Sequence, residues 1–201
     1  IIGSFYVTFL ALLIGVPIGL MCAIFLAEFA KGRVAVGLRR VVELLAGIPS
    51  VVYGLFGVVV ICSLVRETLG GTGYSIISGS LILAIMILPT IINISEISIR
   101  SVPKSYKAGS FAMGATHWQT IVRVLLPAAK SGIIAAVVLA TGRAIGETMA
   151  VLMVAGNAAV MPGWVTSMVR TLTMNIVTDM SYASGNHMVA LFTTGVVLFF
   201  F

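Results

Sequence analysis

Charged residues are scarce in this chain: only 9% of its 201 residues are Asp, Glu, Lys or Arg, whereas 60% are apolar. Soluble domains carry about 25% charged residues, so a water-soluble globule is excluded. A disordered chain is excluded as well, because disorder requires low hydrophobicity and high charge. The composition therefore predicts an all-α, multi-pass membrane protein whose helices use most of the chain and leave no room for a separate soluble domain.

Cysteine is rare too, and both cysteines, Cys22 and Cys62, lie inside apolar runs. Buried thiols of this kind behave as small hydrophobic groups and indicate neither a disulfide framework nor a metal site. Acidic residues are half as frequent as basic ones, which leaves a net charge of +6. In a membrane protein this excess is typical of basic cytoplasmic loops, so no nucleic acid partner is expected.

Five runs with little or no charge predict membrane spans, because a helix needs about 20 apolar residues to cross the hydrocarbon core. The runs cover residues 1–27, 44–65, 76–95, 131–155 and 188–201. The last run is too short to cross a core of about 30 Å as a helix. We therefore expect residues 1–201 to form a single transmembrane domain of about five spans, truncated at both ends.

The loops between these runs differ in positive charge. The loops at residues 28–43 and 96–130 hold four and five Lys or Arg, whereas the other two hold only Arg66 and Arg170. Because positive charge collects on the cytoplasmic side, this distribution makes residues 28–43 and 96–130 cytoplasmic. The N-terminal end of the chain is then expected outside and the C-terminal end inside.

Residues 96–130 contain a second pattern, since apolar side chains recur there at helical spacing and would share one helical face. These side chains are Phe111, Ala115, Trp118, Val122 and Leu125. Gly114 interrupts the pattern and Pro127 ends it before the next span. We expect one or two short amphipathic helices, which would either lie on the lipid surface or dock a soluble partner.

Sequence motifs for catalysis are missing. The chain has no G-x-x-x-x-G-K-[ST] loop to hold nucleotide phosphates, no H-E-x-x-H and no G-x-S-x-G. His117 and His187 lie in loops predicted on opposite sides of the membrane, so they cannot share a metal. An intramembrane hydrolase would need a nucleophile and a base, and no such pair is found. We therefore expect a protein that is not an enzyme.

Arg143 and Glu147 are the two charges inside the fourth apolar run. Four residues apart, they are predicted to lie on one helical face, where they would either neutralise each other or line a solute pathway. On a pathway, the planar guanidinium suits phosphate-like oxyanions, and the carboxylate would orient the anion. We favour the pathway, because an apolar pair would pack equally well without losing hydration.

Small residues and prolines in the apolar runs predict local features of the helices. Gly142 and Gly146 form a small-xxx-small pattern, which predicts close helix packing, as do Gly15 and Gly19. Proline at position 49 predicts a helix break, which either serves packing alone or opens a helix at the pathway.

One stretch of the predicted cytoplasmic loop resembles the EAA loop of ABC importer permeases. It reads Ala108-Gly109-Ser110, then Gly114, and, after nine intervening residues, Val124-Leu125-Leu126-Pro127. In that family the loop docks on the ATP-binding subunit. The resemblance implies docking through Ala108, Gly109, Ser110, Gly114, Ala115 and Thr116. One position departs from the family pattern, because its acidic first residue is Ala108 here.

Three further stretches, at residues 45–57, 87–96 and 142–150, resemble phosphate importer permeases, the last one most closely the PstC-type subunit. The resemblance covers nearly the whole chain. It implies the type I ABC importer transmembrane domain in the inner (cytoplasmic) membrane. Phosphate would move by alternating access along a route lined by Arg143 and Glu147. Residues 96–130 would form the cytoplasmic coupling loop.

The same resemblance implies the partners of the chain. They are ATP-binding cassette subunits, a second, PstA-type permease subunit, an extracytoplasmic phosphate-binding protein and membrane lipid. ATP and Mg would be bound by the ATPase partner, with no cofactor and no metal on this chain. Two alternatives remain open: an ABC permease for another oxyanion such as sulfate or molybdate, and a secondary transporter or channel without an ATPase. Secondary transporters often show inverted repeats, which the two halves of this sequence lack.

Overall fold

The computed structural model describes residues 1–200, which fold into ten helices. They are α1 (Ile2–Phe29), α2 (Gly32–Gly47), α3 (Ser50–Leu69), α4 (Ile76–Arg100), α5 (Lys104–Ala112), α6 (His117–Ala128), α7 (Lys130–Gly146), α8 (Met149–Val154), α9 (Leu172–Asp179) and α10 (Asn186–Phe200). Within these residues the extended backbone pairs only once, in an isolated bridge between Gly156 and Val169. The predicted all-α class is confirmed.

Three helices, α1, α3 and α4, are long and apolar enough to cross a membrane. The α6 and α7 helices provide a fourth span only if they are taken together, since the chain bends by 70° between them. The α10 helix has 15 residues, fewer than a crossing helix needs. Residues 1–200 thus contain three or four helices of spanning length where the sequence predicts about five.

The predicted basic loop at residues 28–43 is mostly helical, which corrects that expectation. Its residues form the amphipathic helix α2, with Ala35 and Val42 buried on one face and basic side chains elsewhere. The second apolar run is therefore divided: Leu44 belongs to α2, and the span begins only at Ser50. Pro49 causes the break, because it lacks a backbone N–H and restricts the residue before it.

Contacts divide the chain into two compact units, and the first unit comprises Ile1–Ile14, Ile48–Met86 and the segment from Gly142 onward. In this unit the loop after α8 covers the N-terminus of α4. Backbone carbonyls of Val154, Ser167 and Val165 accept the N–H groups of Ser75, Ile76 and Ile77 at 3.0–3.2 Å. These bonds satisfy donors that a helix N-terminus leaves without partners, so the loop is an ordered part of the unit.

The second unit comprises Gly15–Gly47 and Ile87–Thr141. Its apolar core joins the end of α1 to α2 and α4. The core side chains are Leu26, Ala30, Ala35, Val42 and Ile92, with Leu88 packed against them.

A buried carboxylate ties α2 to α4 in the second unit. Glu96, whose side chain is only 7% exposed, accepts hydrogen bonds from the Arg39 Nε and Nη2 atoms at 2.9 and 2.7 Å. The Arg100 Nε atom donates to the same oxygen at 2.8 Å, and its Nη2 atom donates to the Leu26 carbonyl at 2.6 Å. Three charge-assisted bonds compensate for the lost hydration of this carboxylate, so Arg39 anchors α2.

Candidate functional site

Residues 104–128 form a helical hairpin, in which α5 and α6 are joined by a short turn at Gly114. Gly114 has a φ of +81°, a conformation that residues with a side chain rarely adopt, and its N–H donates to the Phe111 carbonyl at 2.9 Å. The sequence predicts one or two short helices interrupted at Gly114, and the structure confirms the interruption and shows two helices.

The predicted single apolar face across this hairpin is wrong. Because the chain turns at Gly114, residues on its two sides no longer follow one helical period. Leu125 is buried, whereas Phe111 and Trp118 are exposed. The structure thus separates a buried contact of α6 from apolar side chains that the second unit leaves uncovered.

Local hydrogen bonds shape the turn end of the hairpin. The Thr116 hydroxyl accepts the Gln119 N–H at 3.3 Å, and the Gln119 side chain accepts the Thr116 N–H at 2.9 Å. This capping box begins α6. Ser110 and Thr120 place their hydroxyl oxygens 2.9 Å apart and so join α5 to α6. Two of the predicted docking residues, Ser110 and Thr116, therefore also hold the hairpin in shape.

An open groove of about 630 Å³ lies on the hairpin. Its lining residues are Ser105, Tyr106, Gly109, Ser110, Met113, Gly114, Ala115, Gln119, Arg123 and Val124. Four of the six predicted docking residues line it, while Ala108 and Thr116 do not. Met113 is 90% exposed at its edge. Small residues and an uncovered apolar rim are suited to receiving an element of another protein.

Arg143 and Glu147 do not share a helical face, which corrects the sequence expectation. The α7 helix ends at Gly146, so Glu147 lies in the break before α8. There its Oε1 atom accepts the Ala150 N–H at 3.2 Å, and its carbonyl accepts the Thr173 hydroxyl at 3.2 Å. The carboxylate satisfies a donor at the start of α8 instead of facing Arg143, because side chains four apart meet only in a continuous helix.

Arg143 is consequently without a carboxylate partner: the ion pairs of residues 1–200 do not include it. Its side chain is exposed in the last turn of α7, at the edge of the break. The buried phenol of Tyr53, in the second turn of α3, lies within the electrostatic influence of this charge. Tyr53 was not singled out from the sequence, although it lies in the 45–57 stretch that resembles phosphate importer permeases.

Within residues 1–200, no group of three or more His, Cys, Asp and Glu side chains is arranged to hold a metal ion. Sequence reasoning misses the Glu96 network and a contact between Glu28 and the hairpin. Within the network, Arg100 lies at the local i,i+4 spacing from Glu96. Arg39 is 57 residues from Glu96 and Lys107 is 79 residues from Glu28, so no local motif marks these two contacts.

Comparison with known protein families gives a match over residues 15–201 to the family described as "Binding-protein-dependent transport system inner membrane component". The chain belongs to this family. This inner membrane component is therefore an integral membrane protein.

Two curated relatives cover most of the component. It is 46% identical over 185 residues to the probable ABC transporter permease protein YqgH of Bacillus subtilis. The alignment covers 92% of this chain and 60% of YqgH. It is 33% identical over 219 aligned positions to the phosphate transport system permease protein PstC of Pasteurella multocida, covering 99% of this chain and 68% of that protein. The component thus spans less than two thirds of YqgH.

Solved structures match the fold. The component aligns with a chain of the MetNI methionine ABC transporter in an inward-facing conformation with a TM-score of 0.68 at 21% identity, covering 98% of this chain and 84% of that one. An amino acid ABC transporter gives a TM-score of 0.62 at 20% identity, over 98% of this chain and 88% of that one. The predicted type I ABC importer transmembrane fold is confirmed.

Proposed function

We propose that this inner membrane component is a permease subunit of an ATP-driven phosphate importer that works by alternating access. The observation that carries the choice of an anion is Arg143, an exposed guanidinium beside a helix break with no carboxylate to neutralise it. A guanidinium in this state offers paired donors to a tetrahedral oxyanion. The resemblance to PstC favours phosphate among such anions.

Arg143 lies on the proposed substrate pathway, in the last turn of α7 at the edge of the helix break. The role of Glu147 changes accordingly. Its carboxylate supports α8, so we propose that it shapes the pathway by holding the break rather than by touching the anion.

The hairpin of residues 104–128 is proposed to dock an ATP-binding cassette subunit, which would bind ATP and Mg. Its groove, the small residues Gly109, Gly114 and Ala115, and the exposed side chain of Met113 support this role. An exposed apolar rim indicates that the partner surface includes apolar side chains, since a wholly polar partner would not need one. The positive charge of residues 28–43 and 96–130 supports a cytoplasmic location for the hairpin.

The complete machine is proposed to contain a second, PstA-type permease subunit and an extracytoplasmic phosphate-binding protein as well. The N-terminal end of the described chain would then face outside and its C-terminal end inside. The description of the family, which names a binding-protein-dependent transport system, supports the binding protein in this proposed assembly.

Co-purification of the full-length protein with its partner subunits tests the proposal. In proteoliposomes, phosphate-loaded binding protein should raise ATP hydrolysis, and labelled phosphate should accumulate only when ATP is present. Sulfate and molybdate, offered in excess, should not compete. Accumulation of sulfate or molybdate instead would reassign the substrate, and uptake that ignores ATP would indicate a secondary transporter or channel.

A further inference from the structure

Glu28 is a nearly buried carboxylate that the proposed pathway does not use. It lies in the last turn of α1, in the π-helical segment Phe25–Phe29, and its side chain is only 10% exposed. Burial of a charge costs free energy unless hydrogen-bonding or charged groups compensate for the lost hydration. The partners of this carboxylate therefore determine whether it is stable at this buried position.

Both partners come from the hairpin of residues 104–128, and each belongs to a different helix of it. The ammonium group of Lys107, in α5, contacts the Glu28 Oε2 atom. The Nε2 atom of His117, at the start of α6, lies 3.2 Å from the same oxygen. One carboxylate oxygen thus holds the two helices on either side of the Gly114 turn.

Aromatic contacts hold the imidazole at this point. The Phe29 ring meets His117 edge-on, with centroids 5.1 Å apart, and Phe111 stacks on it at 6.2 Å. Phe29 belongs to α1, and Phe111 belongs to α5. His117 therefore joins the end of α1 to both hairpin helices. The two aromatic rings restrict rotation of its imidazole away from Glu28.

These contacts connect the end of α1 to both helices of the hairpin. If either hairpin helix slid relative to α1, the Glu28 carboxylate would lose a partner while still largely buried. Such a state is disfavoured, because the hydration of the carboxylate is not restored when its partner leaves. Two other acidic side chains differ in this respect: Glu43 and Glu67 are exposed, and neither forms an ion pair within residues 1–200.

We propose that Glu28 is a positioning residue that fastens the docking hairpin to α1, so that displacement of the hairpin by the ATPase subunit is passed to the first membrane helix. The inference rests on the proposed function. It concerns how a conformational change of the ATPase subunit is transmitted to the permease. It does not concern the identity of the substrate or the docking contact itself.

The first test measures the phosphate transported per ATP hydrolysed by the full complex in proteoliposomes. The Glu28→Gln variant should assemble normally and keep its basal ATPase, while this ratio falls about tenfold. The Glu28→Asp variant should recover part of the ratio, since the charge is kept. Glu43→Gln is the matched control, because it removes the same charge from an exposed position in the second unit and should leave the ratio unchanged.

A double-mutant cycle separates a shared contact from two independent ones. Lys107→Met and His117→Gln should each lower the ratio, and neither should lower it further when Glu28 is already Gln. Additive losses, a wild-type ratio in Glu28→Gln, or a loss that follows only the amount of assembled complex would overturn the proposal.

A second measurement does not depend on the substrate. Spin labels at Phe25 and Val122, both exposed, report the distance between α1 and α6 in the full complex with and without ATP. In the wild-type background the distribution of this distance should have a single narrow peak in both states. In Glu28→Gln the distribution should broaden. If the wild-type complex moves no phosphate, the proposed function fails, but this distance still decides the role of Glu28.

Discussion

The chemistry of Arg143 depends on which groups are near its guanidinium. A helix that continued past Gly146 would bring Glu147 to Arg143, and the pair would be electrically neutral. The helix instead ends, Glu147 accepts the N–H of Ala150, and Arg143 has no carboxylate partner within residues 1–200. One broken turn thus changes a structural ion pair into a candidate anion site.

Substitution of Arg143 tests this at the scale of the residue. We expect Arg143→Gln to lower phosphate uptake at least about tenfold, because one charge-assisted contact is commonly worth more than 1.4 kcal/mol. Arg143→Lys should retain part of the uptake, since the charge remains but the bidentate geometry is lost. Labelled uptake in vesicles, normalised to the amount of assembled protein, measures both.

Arg66→Gln is the control for Arg143→Gln, because Arg66 is another exposed arginine without an ion pair within residues 1–200. It should transport like the wild type. Equal activity of the two glutamine variants would show that the anion does not pass Arg143.

At the scale of the element, the hairpin turn can be tested independently of its backbone strain. Gly114→Asp places a charged side chain in the proposed docking groove and should cut phosphate uptake at least about tenfold, since the apolar rim would be separated from its partner. ATP hydrolysis should no longer respond to the loaded binding protein. Both activities are measured on the same reconstituted complex.

Gly71→Asp controls for conformation and charge together. Gly71 has a φ of +76°, close to the +81° of Gly114, and a side chain at either position meets nothing within 4 Å. The control should therefore lose as much stability as Gly114→Asp and yet keep its uptake. Loss of uptake in both variants would mean that strain, and not docking, explains the result.

The α7 helix offers a second matched pair, Gly132 and Gly142. A Cβ atom at Gly132 would lie 2.6 Å from the Ser98 Cβ atom of α4, whereas one at Gly142 would meet nothing within 4 Å. We expect Gly132→Ala to cost about 1–3 kcal/mol of unfolding free energy through overpacking. Gly142→Ala should stabilise the helix slightly, by about 0.5–1 kcal/mol.

Thermal unfolding of the purified full-length protein in detergent measures this difference. The midpoint should fall by several degrees for Gly132→Ala and not for Gly142→Ala. The opposite order would mean that the face of Gly142 and Gly146 packs closely and that the contact between α4 and α7 adapts.

At the scale of the whole molecule, the orientation in the membrane is the testable property. In a background without Cys22 and Cys62, cysteines at Ser105 and Gln119 should react only with a reagent on the cytoplasmic side. Cysteines at Thr72 and Asn186 should react only from outside. All four positions are exposed, so burial does not limit the reaction. Labelling of Ser105 from outside would reverse the proposed orientation.

Much of the architecture follows from composition and period alone. Long uncharged runs force α1 and α4 into helices, because a backbone in hydrocarbon must satisfy its own hydrogen bonds. The Gly114 interruption was also readable, since a glycine between two apolar periods marks a turn. The prediction of a loop from the charged residues 28–43 is wrong. Residues 32–43 are helical, because Ala35 and Val42 are buried on one face of the helix.

The small-xxx-small patterns show the same division between local and tertiary information. Gly19 does approach Ile91 closely, as its pattern predicts, but a Cβ atom added at Gly142 or Gly146 would meet nothing within 4 Å. Gly132, which no pattern marked, has the tight contact with Ser98. Spacing identifies a smooth face, and only the packed structure tells whether another helix covers it.

The sequence by itself determined the class of protein, the long apolar helices α1 and α4 and the turn at Gly114, because hydropathy and backbone chemistry act over a few residues. The tertiary structure alone decided the partners of the charged groups. Glu28 meets Lys107, 79 residues away, and Glu96 meets Arg39, 57 residues away, while Glu147 does not meet Arg143. A buried charge takes whichever compensating group the fold brings near it, and sequence distance does not limit that choice.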